Sequence, residues 1–206
     1  EMLRSLVGSE MCIRDRYHIL HGVDLAVPKG QLTMLLGRNG AGKTTTLRTI
    51  MGLWHASKGS IHFGGKDITA MNTPAIAGMN IAYVPENMGI FADLTVKENM
   101  LLAALSARNA AQMDEARLQW IFKLFPAVEK FWNHPAGKLS GGQKQMVAVS
   151  RAIVEPRDLL IVDEPSKGLA PAIINNMIDA FDQLKKSGVT IPVSYTHLTL
   201  PTTPYV

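Results

Sequence analysis

The chain has 206 residues, 47% hydrophobic and 18% charged, enough to bury a substantial core within one domain. Its longest apolar runs, MLLAAL and LLIV, fall far short of the roughly eighteen residues that a membrane span requires, and no signal-like N-terminal pattern precedes them. The net charge of +4 comes from scattered Lys and Arg, with no run that would track a phosphate backbone, so nucleic acid is not an expected partner; the single cysteine, Cys12, fits a reducing compartment.

In chain order, the first unusual stretch is MCIRDR, Met11 to Arg16. It can be written ATG TGT ATA AGA GAC AGN, and the reverse complement reads GTC TCT TAT ACA CAT in one frame. Those codons spell Val193 to His197 at the other end of the chain. No structural reason links the two peptides. The shared duplex resembles the end of a transposon-based sequencing adapter, and LVGSE and LTLPT resemble translations of its two arms. Residues 1–16 and 193–206 are therefore expected to be adapter text, with the read-through itself at about Leu6 to Arg16 and Val193 to Thr203, and 17–192 to be natural. The leading segment removes as many acidic as basic residues, together with Cys12.

Next, GVDLAVPKG alternates Val23, Leu25 and Val27, the period of a half-buried strand stopped by Pro28 and Gly30. Leu32 to Leu36 reads as an apolar strand, followed by a glycine-rich turn and a helix that turns Leu47, Ile50 and Met51 to a core. GSIHFGGKDIT reads as a strand and turn, and MNIAYVPE as a strand ending at a proline and a carboxylate. Thr95-x-x-Glu98 is a capping box, which predicts a helix to about Arg108. Asp114 to Phe125 is helical by pattern. Trp120, Phe122, Phe125, Phe131 and Trp132 there form either core or a partner-binding surface. RDLLIVDEP reads as a buried parallel strand, and IINNMIDAFDQLKKSG as an amphipathic helix with Ile173, Ile174, Met177, Ile178, Phe181 and Leu184 on one side. VTIPV begins a last strand. Alternating strands and helices predict an α/β domain with a mainly parallel sheet.

Gly37-Arg38-Asn39-Gly40-Ala41-Gly42-Lys43-Thr44 has the spacing and the strand–turn–helix context of a phosphate-binding loop. Glycines let successive N–H groups point at phosphate oxygens, and the helix N-terminus adds its positive end. Lys43 is placed to reach β- and γ-phosphates and the Thr44 hydroxyl to ligate Mg²⁺. Asp163-Glu164 closes the strand LLIV. Such a pair is either a solvated turn or, beside a phosphate loop, a Mg²⁺-supporting carboxylate followed by one that polarises an attacking water. Ser140-x-x-Gln143 is a second capping box, followed by Gly141 and Gly142, whose bare N–H groups form another anion-binding helix end. On a chain that already has a phosphate loop, that end makes sense if it serves a phosphate held by another chain.

GRNGAGKT, LSGGQKQ and LLIVDEP, in this order and with SKGLAP after the last, resemble the nucleotide-binding subunit of ATP-binding-cassette transporters, over essentially all of 17–192. YVPE, with Glu86 where most members carry glutamine, and DEPSKGLAP resemble the subunits of branched-chain amino acid uptake or of the similar urea and amide systems. The resemblance implies a P-loop NTPase fold: a mainly parallel sheet core, an antiparallel β edge and a helical subdomain at about 87–150. It implies an ATPase using ATP and Mg²⁺. The assembly implied is a head-to-tail homo- or heterodimer, with Gly37 to Thr45 of one chain facing Ser140 to Gln143 of the other across each ATP. Glu164 and Lys43 would be catalytic; Thr44, Asp163 and Glu86 would serve the metal, Glu86 also reporting to the membrane subunit. Ser166 to Ala170 would cross the dimer interface. Asn87 to Trp132 would dock an integral-membrane permease at the cytoplasmic face of the inner membrane, where the subunit would sit peripherally, with a solute-binding protein on the far side.

Two positions depart from the pattern. The adenine-stacking aromatic belongs to a strand upstream of Tyr17, and Tyr17 reads as an ordinary strand-flanking tyrosine. His197 stands near the distance expected of the family's switch histidine, but the spacing puts that position near Thr196. The other reading is a soluble cassette ATPase of DNA repair or translation; a long coiled-coil insertion would mark the former, and Gly42 to Leu139 holds no sustained heptads. A P-loop kinase would be expected to lack LSGGQ.

Overall fold

The computed structural model describes Leu20, residues 22–108 and 113–196, and the backbone pairing of residues 3–4, 12–13 and 17–18. Three short pairings open the chain: β1 (Leu3–Arg4), β2 (Cys12–Ile13) and β3 (Tyr17–His18), the last two antiparallel to each other. The side chains of Cys12 and Tyr17 lie outside the described residues, as does His197. The alternation of Val23, Leu25 and Val27 survives only as burial: Val27 is fully buried and Leu25 packs against the core, but β4 is limited to Ala26–Val27.

β5 (Leu32–Leu36) matches the apolar run, and α1 (Lys43–Ile50) starts behind Gly40 and Gly42, whose φ values of 83° and 88° a Cβ would strain. β6 (His62–Phe63) and β7 (Lys66–Asp67) form a hairpin closed by Gly64 and Gly65, both at positive φ as a two-residue turn of this hand requires. α2 (Thr73–Ala77) is capped by Asn72, and β8 (Ile81–Val84) follows. α3 (Val96–Arg108) carries the predicted box: the Thr95 N–H donates to Glu98 at 2.7 Å, and the Glu98 N–H to the Thr95 hydroxyl at 3.2 Å. α4 (Glu115–Leu124), α5 (Pro126–Lys130), a 3-10 turn at Ala136–Lys138 and α6 (Gly141–Ile153) complete the helical stretch. β9 (Leu159–Asp163), α7 (Pro171–Lys186) and β10 (Ile191–Tyr195) close the chain.

The central sheet is parallel, in the order β5-β10-β9-β8, and a second, antiparallel sheet runs β4-β1-β6-β7. Side chains alternate across the parallel sheet and feed two cores. Leu160 and Val162 of β9, with Ala82 and Val84 of β8, pack under α3–α7, while Leu159, Ile161 and Ile81 pack with Leu47 and Ile50 of α1. Aromatic residues divide accordingly: Phe125 and Phe122 are buried, with Trp132 edge-on to Phe122 at 5.1 Å, and Trp120 lies under the Arg117 guanidinium. Buried Asn99 fastens α3 to the preceding segment, accepting from Phe91 N and donating to the carbonyls of Phe91, Leu94 and Thr95.

Pro192 sits inside the sheet without an N–H to give. The ladder to β9 is interrupted there: Thr190 bridges Leu159, and pairing resumes at Val193↔Val162. The strand that VTIPV begins runs on through Ser194 to Tyr195. On the other side β5 is the outermost described strand, and its Met34 and Leu36 side chains are 37% and 52% exposed. Among the described residues no helix is long and apolar enough to cross a membrane.

Candidate functional site

Parallel strands deliver their C-terminal ends to one edge, and this edge collects the chemistry. β5 ends at Leu36, β9 at Asp163 and β10 at Tyr195, with registers Tyr195↔Leu36 and Ser194↔Asp163. The turn 37–42 and the start of α1 lie directly beyond. Gly42 offers no side-chain cap to α1, which leaves the first turn to an anion.

Lys43 is 9% exposed and folds back over its own loop: Nζ donates to Gly37 O at 2.7 Å, Arg38 O at 3.2 Å and the Thr196 hydroxyl at 3.2 Å, and pairs with Glu164 at 3.2 Å. Asp163 is fully buried and accepts from the hydroxyls of Thr44 at 3.1 Å, Tyr83 at 3.1 Å and Ser194 at 2.6 Å. Glu164 takes φ of 50°, a left-handed conformation unfavourable for a residue with a Cβ. It is held there by its N–H to Ser194 Oγ at 3.0 Å and by the Thr196 N–H and hydroxyl, both donating to its carboxylate, the former at 3.0 Å. Asn39 Oδ1 lies 3.2 Å from the same hydroxyl. Burial, with the Asp163 charge second, pushes the Tyr83 phenol up to about 12, so Tyr83 stays a neutral donor to that carboxylate.

The sequence-derived set thus separates into groups. Lys43, Thr44, Asp163 and Glu164 converge. Of the loop Gly37 to Gly42, Gly37 and Arg38 give their carbonyls to the Lys43 ammonium, and Thr45 is buried one residue beyond Thr44 in α1. Glu86 does not join them: its carboxylate pairs with Lys167 in the turn after Glu164, and that contact, ahead of the charges of Glu164 and Asp163, raises the Lys167 pKa. Ser140 to Gln143 form the capping box at α6, with Ser140 N to Gln143 Oε1 at 2.9 Å. Among the described residues no hydrogen bond or ion pair joins them to Gly37–Thr45. Gly142 has a packing role besides its bare N–H: a Cβ there would lie 2.8 Å from Ile173 Cγ2 of α7.

Sequence reasoning missed Tyr83 and Ser194. Neither belongs to a local motif that assigns it this contact; strand order alone brings them to Asp163. For a divalent cation, the Thr44 hydroxyl and Asp163 carboxylate are the hard oxygen donors already in contact. No cluster of three or more His, Cys, Asp or Glu among the described residues could hold a metal ion. Thr44 and Asp163 together offer the one or two protein oxygens that Mg²⁺ takes when phosphate and water complete its shell.

The family described as ABC transporter matches residues 20–167. The high-affinity branched-chain amino acid transport ATP-binding protein BraG of Pseudomonas aeruginosa is 38% identical over 175 residues, covering 84% of this chain and 73% of that protein. The glutamate transport ATP-binding protein GluA of Corynebacterium glutamicum is 32% identical over 184 residues, covering 88% and 75%. Among solved structures, an ATP-binding cassette of an ABC transporter in its ADP conformation is similar with a TM-score of 0.79 at 25% identity, covering 96% of this chain and 82% of that one. A dimeric bacterial ABC transporter cassette shares the fold at 23% identity and a TM-score of 0.84, covering 96% and 89%.

Proposed function

The chain belongs to the ABC transporter family as an ATP-binding subunit, and from that premise we propose that it hydrolyses ATP to drive uptake of branched-chain amino acids or a similar small solute, such as urea or an amide. The observation that carries the reading is the meeting of Lys43, Thr44, Asp163 and Glu164 at one sheet edge. The related proteins are transport subunits, which favours transport over DNA repair or translation.

Nucleotide phosphates lie along the amides of Gly37 to Thr45, and the Lys43 ammonium leaves its carbonyl partners and Glu164 for the β- and γ-oxygens. Glu164, released from Lys43, accepts a hydrogen bond from a water in line with the γ-phosphate and positions it for attack. Thr44 and Asp163 would hold Mg²⁺, which when bound would neutralise charge developing on the phosphates. A second cassette subunit, identical or different, supplies Ser140 to Gln143 to the same phosphates, and Ser166 to Ala170 cross the interface. Asn87 to Trp132 dock on the permease at the cytoplasmic face of the membrane, with a solute-binding protein outside. The cassette occupies 17–192, with its helical subdomain at about 87–150, flanked by adapter text at 1–16 and 193–206; unchanged genomic sequence through both junctions would refute the flanks.

Equilibrium binding of a fluorescent ATP analogue and phosphate release test the assignment. Lys43→Ala is expected to abolish binding. Glu164→Gln is expected to keep binding while lowering hydrolysis by about 10² or more; undiminished hydrolysis removes Glu164 from the role.

A further inference from the structure

β8 and β9 are neighbours in register, Val84 beside Val162, so the residues just beyond each strand share the same edge. Glu86 follows β8 by one proline, and Lys167 lies in the turn that Glu164 begins, its N–H donating to Glu164 O at 3.3 Å. Nζ of Lys167 touches the Glu86 carboxylate. The segment expected to report to the membrane subunit is thereby tied to the segment expected to cross the dimer interface. Both side chains are solvent-accessible, 67% for Lys167 and 36% for Glu86, and an exposed ion pair shifts an equilibrium by roughly five-fold at most. Such a pair is easily exchanged for a competing cation.

Resting on the ATPase reading, we infer that Glu86–Lys167 is an exchangeable latch: Lys167 holds the Glu86 carboxylate away from Thr44 and Asp163, and loading with Mg²⁺ and nucleotide opens it. One carboxylate cannot serve both cations at full strength. The charge on Lys167 therefore sets the Mg²⁺ concentration at which Glu86 changes partner, and the interface turn is freed in the same event. Lys167 acts through Glu86 and is a positioning residue.

A water-soluble carbodiimide joins a lysine and a carboxylate into an amide only where they touch, and peptide mass spectrometry reads the product. The Glu86–Lys167 cross-link is expected in the protein alone and with a non-hydrolysable ATP analogue plus EDTA, and its yield is expected to fall at least about three-fold with the analogue plus Mg²⁺. Lys167→Leu is expected to lower the Mg²⁺ concentration for half-maximal analogue binding about two- to five-fold, and to do nothing in the Glu86→Gln background. An absent cross-link, an unchanged yield on Mg²⁺ loading, or an equal effect of Lys167→Leu in both backgrounds overturns the latch. Binding of the analogue is followed in the same samples: no binding at all sinks the ATPase reading and the latch with it, whereas binding with an unchanged cross-link sinks the latch alone.

Discussion

Gly142 carries two constraints at one atom. As the second helical residue after Ser140 its N–H is one of those the helix itself cannot pair, and as a contact of Ile173 it has no room for a methyl group. Gly142→Ala is therefore expected to cost about 1–3 kcal/mol in urea denaturation, recovered in part by Ile173→Ala. A loss of ATP hydrolysis that persists in the double variant would assign the remainder to the anion-facing amide. Tyr195 gives a pH signature. Burial, with the Glu164 charge second, pushes its phenol from 10.0 up to about 12. A pKa higher in the folded than in the unfolded chain gives a contribution that is intact below the unfolded value and is lost as pH rises through the folded one. Urea midpoints are expected to drop between pH 10 and about 12, and Tyr195→Phe to make that drop shallower. At this scale Lys43, Thr44, Asp163 and Glu164 were legible because each belongs to a motif of fixed local spacing. Ser194 and Tyr83 were not, because what matters about them is which strand lies beside β9.

Elements were legible where their ends are chemically marked. Both capping boxes fell where the spacing put them, and β5, β8, β9 and α3 follow their apolar runs. Ser140→Ala removes the acceptor for Gln143 N and is expected to cost about 1 kcal/mol, with α6 fraying at its first turn by amide exchange. Asn99→Ala leaves the N–H and carbonyl of Phe91 without their buried partner and is expected to cost about 1–3 kcal/mol. β10 was legible at its start and extends beyond VTIPV to Tyr195. A parallel ladder is made of backbone groups, so Val193, Ser194 and Tyr195, β-favouring or small residues, extend it whatever their coding origin. The short strands 3–4 and 26–27 have too few residues for a period to register, and they exist as pairings with distant partners.

The whole molecule carries two glycine-bearing helix starts, at Lys43 and Gly141, with no bond between them among the described residues, and the proposed sandwich joins them across two chains. Glu164→Gln with ATP and Mg²⁺ is expected to sediment at twice the monomer mass, and the Ser140→Ala, Gly142→Ala pair to reduce that species. An unchanged mass at saturating nucleotide would count against the sandwich. What no local pattern could reveal is the edge of the sheet. Among the described strands, β5 presents one row of backbone donors and acceptors with Met34 and Leu36 projecting at 37% and 52% exposure. For a preparation of these 206 residues, that predicts a shelf-life problem: strand-to-strand sticking should grow with concentration, be indifferent to ATP, scatter light on storage, and subside in Leu36→Lys.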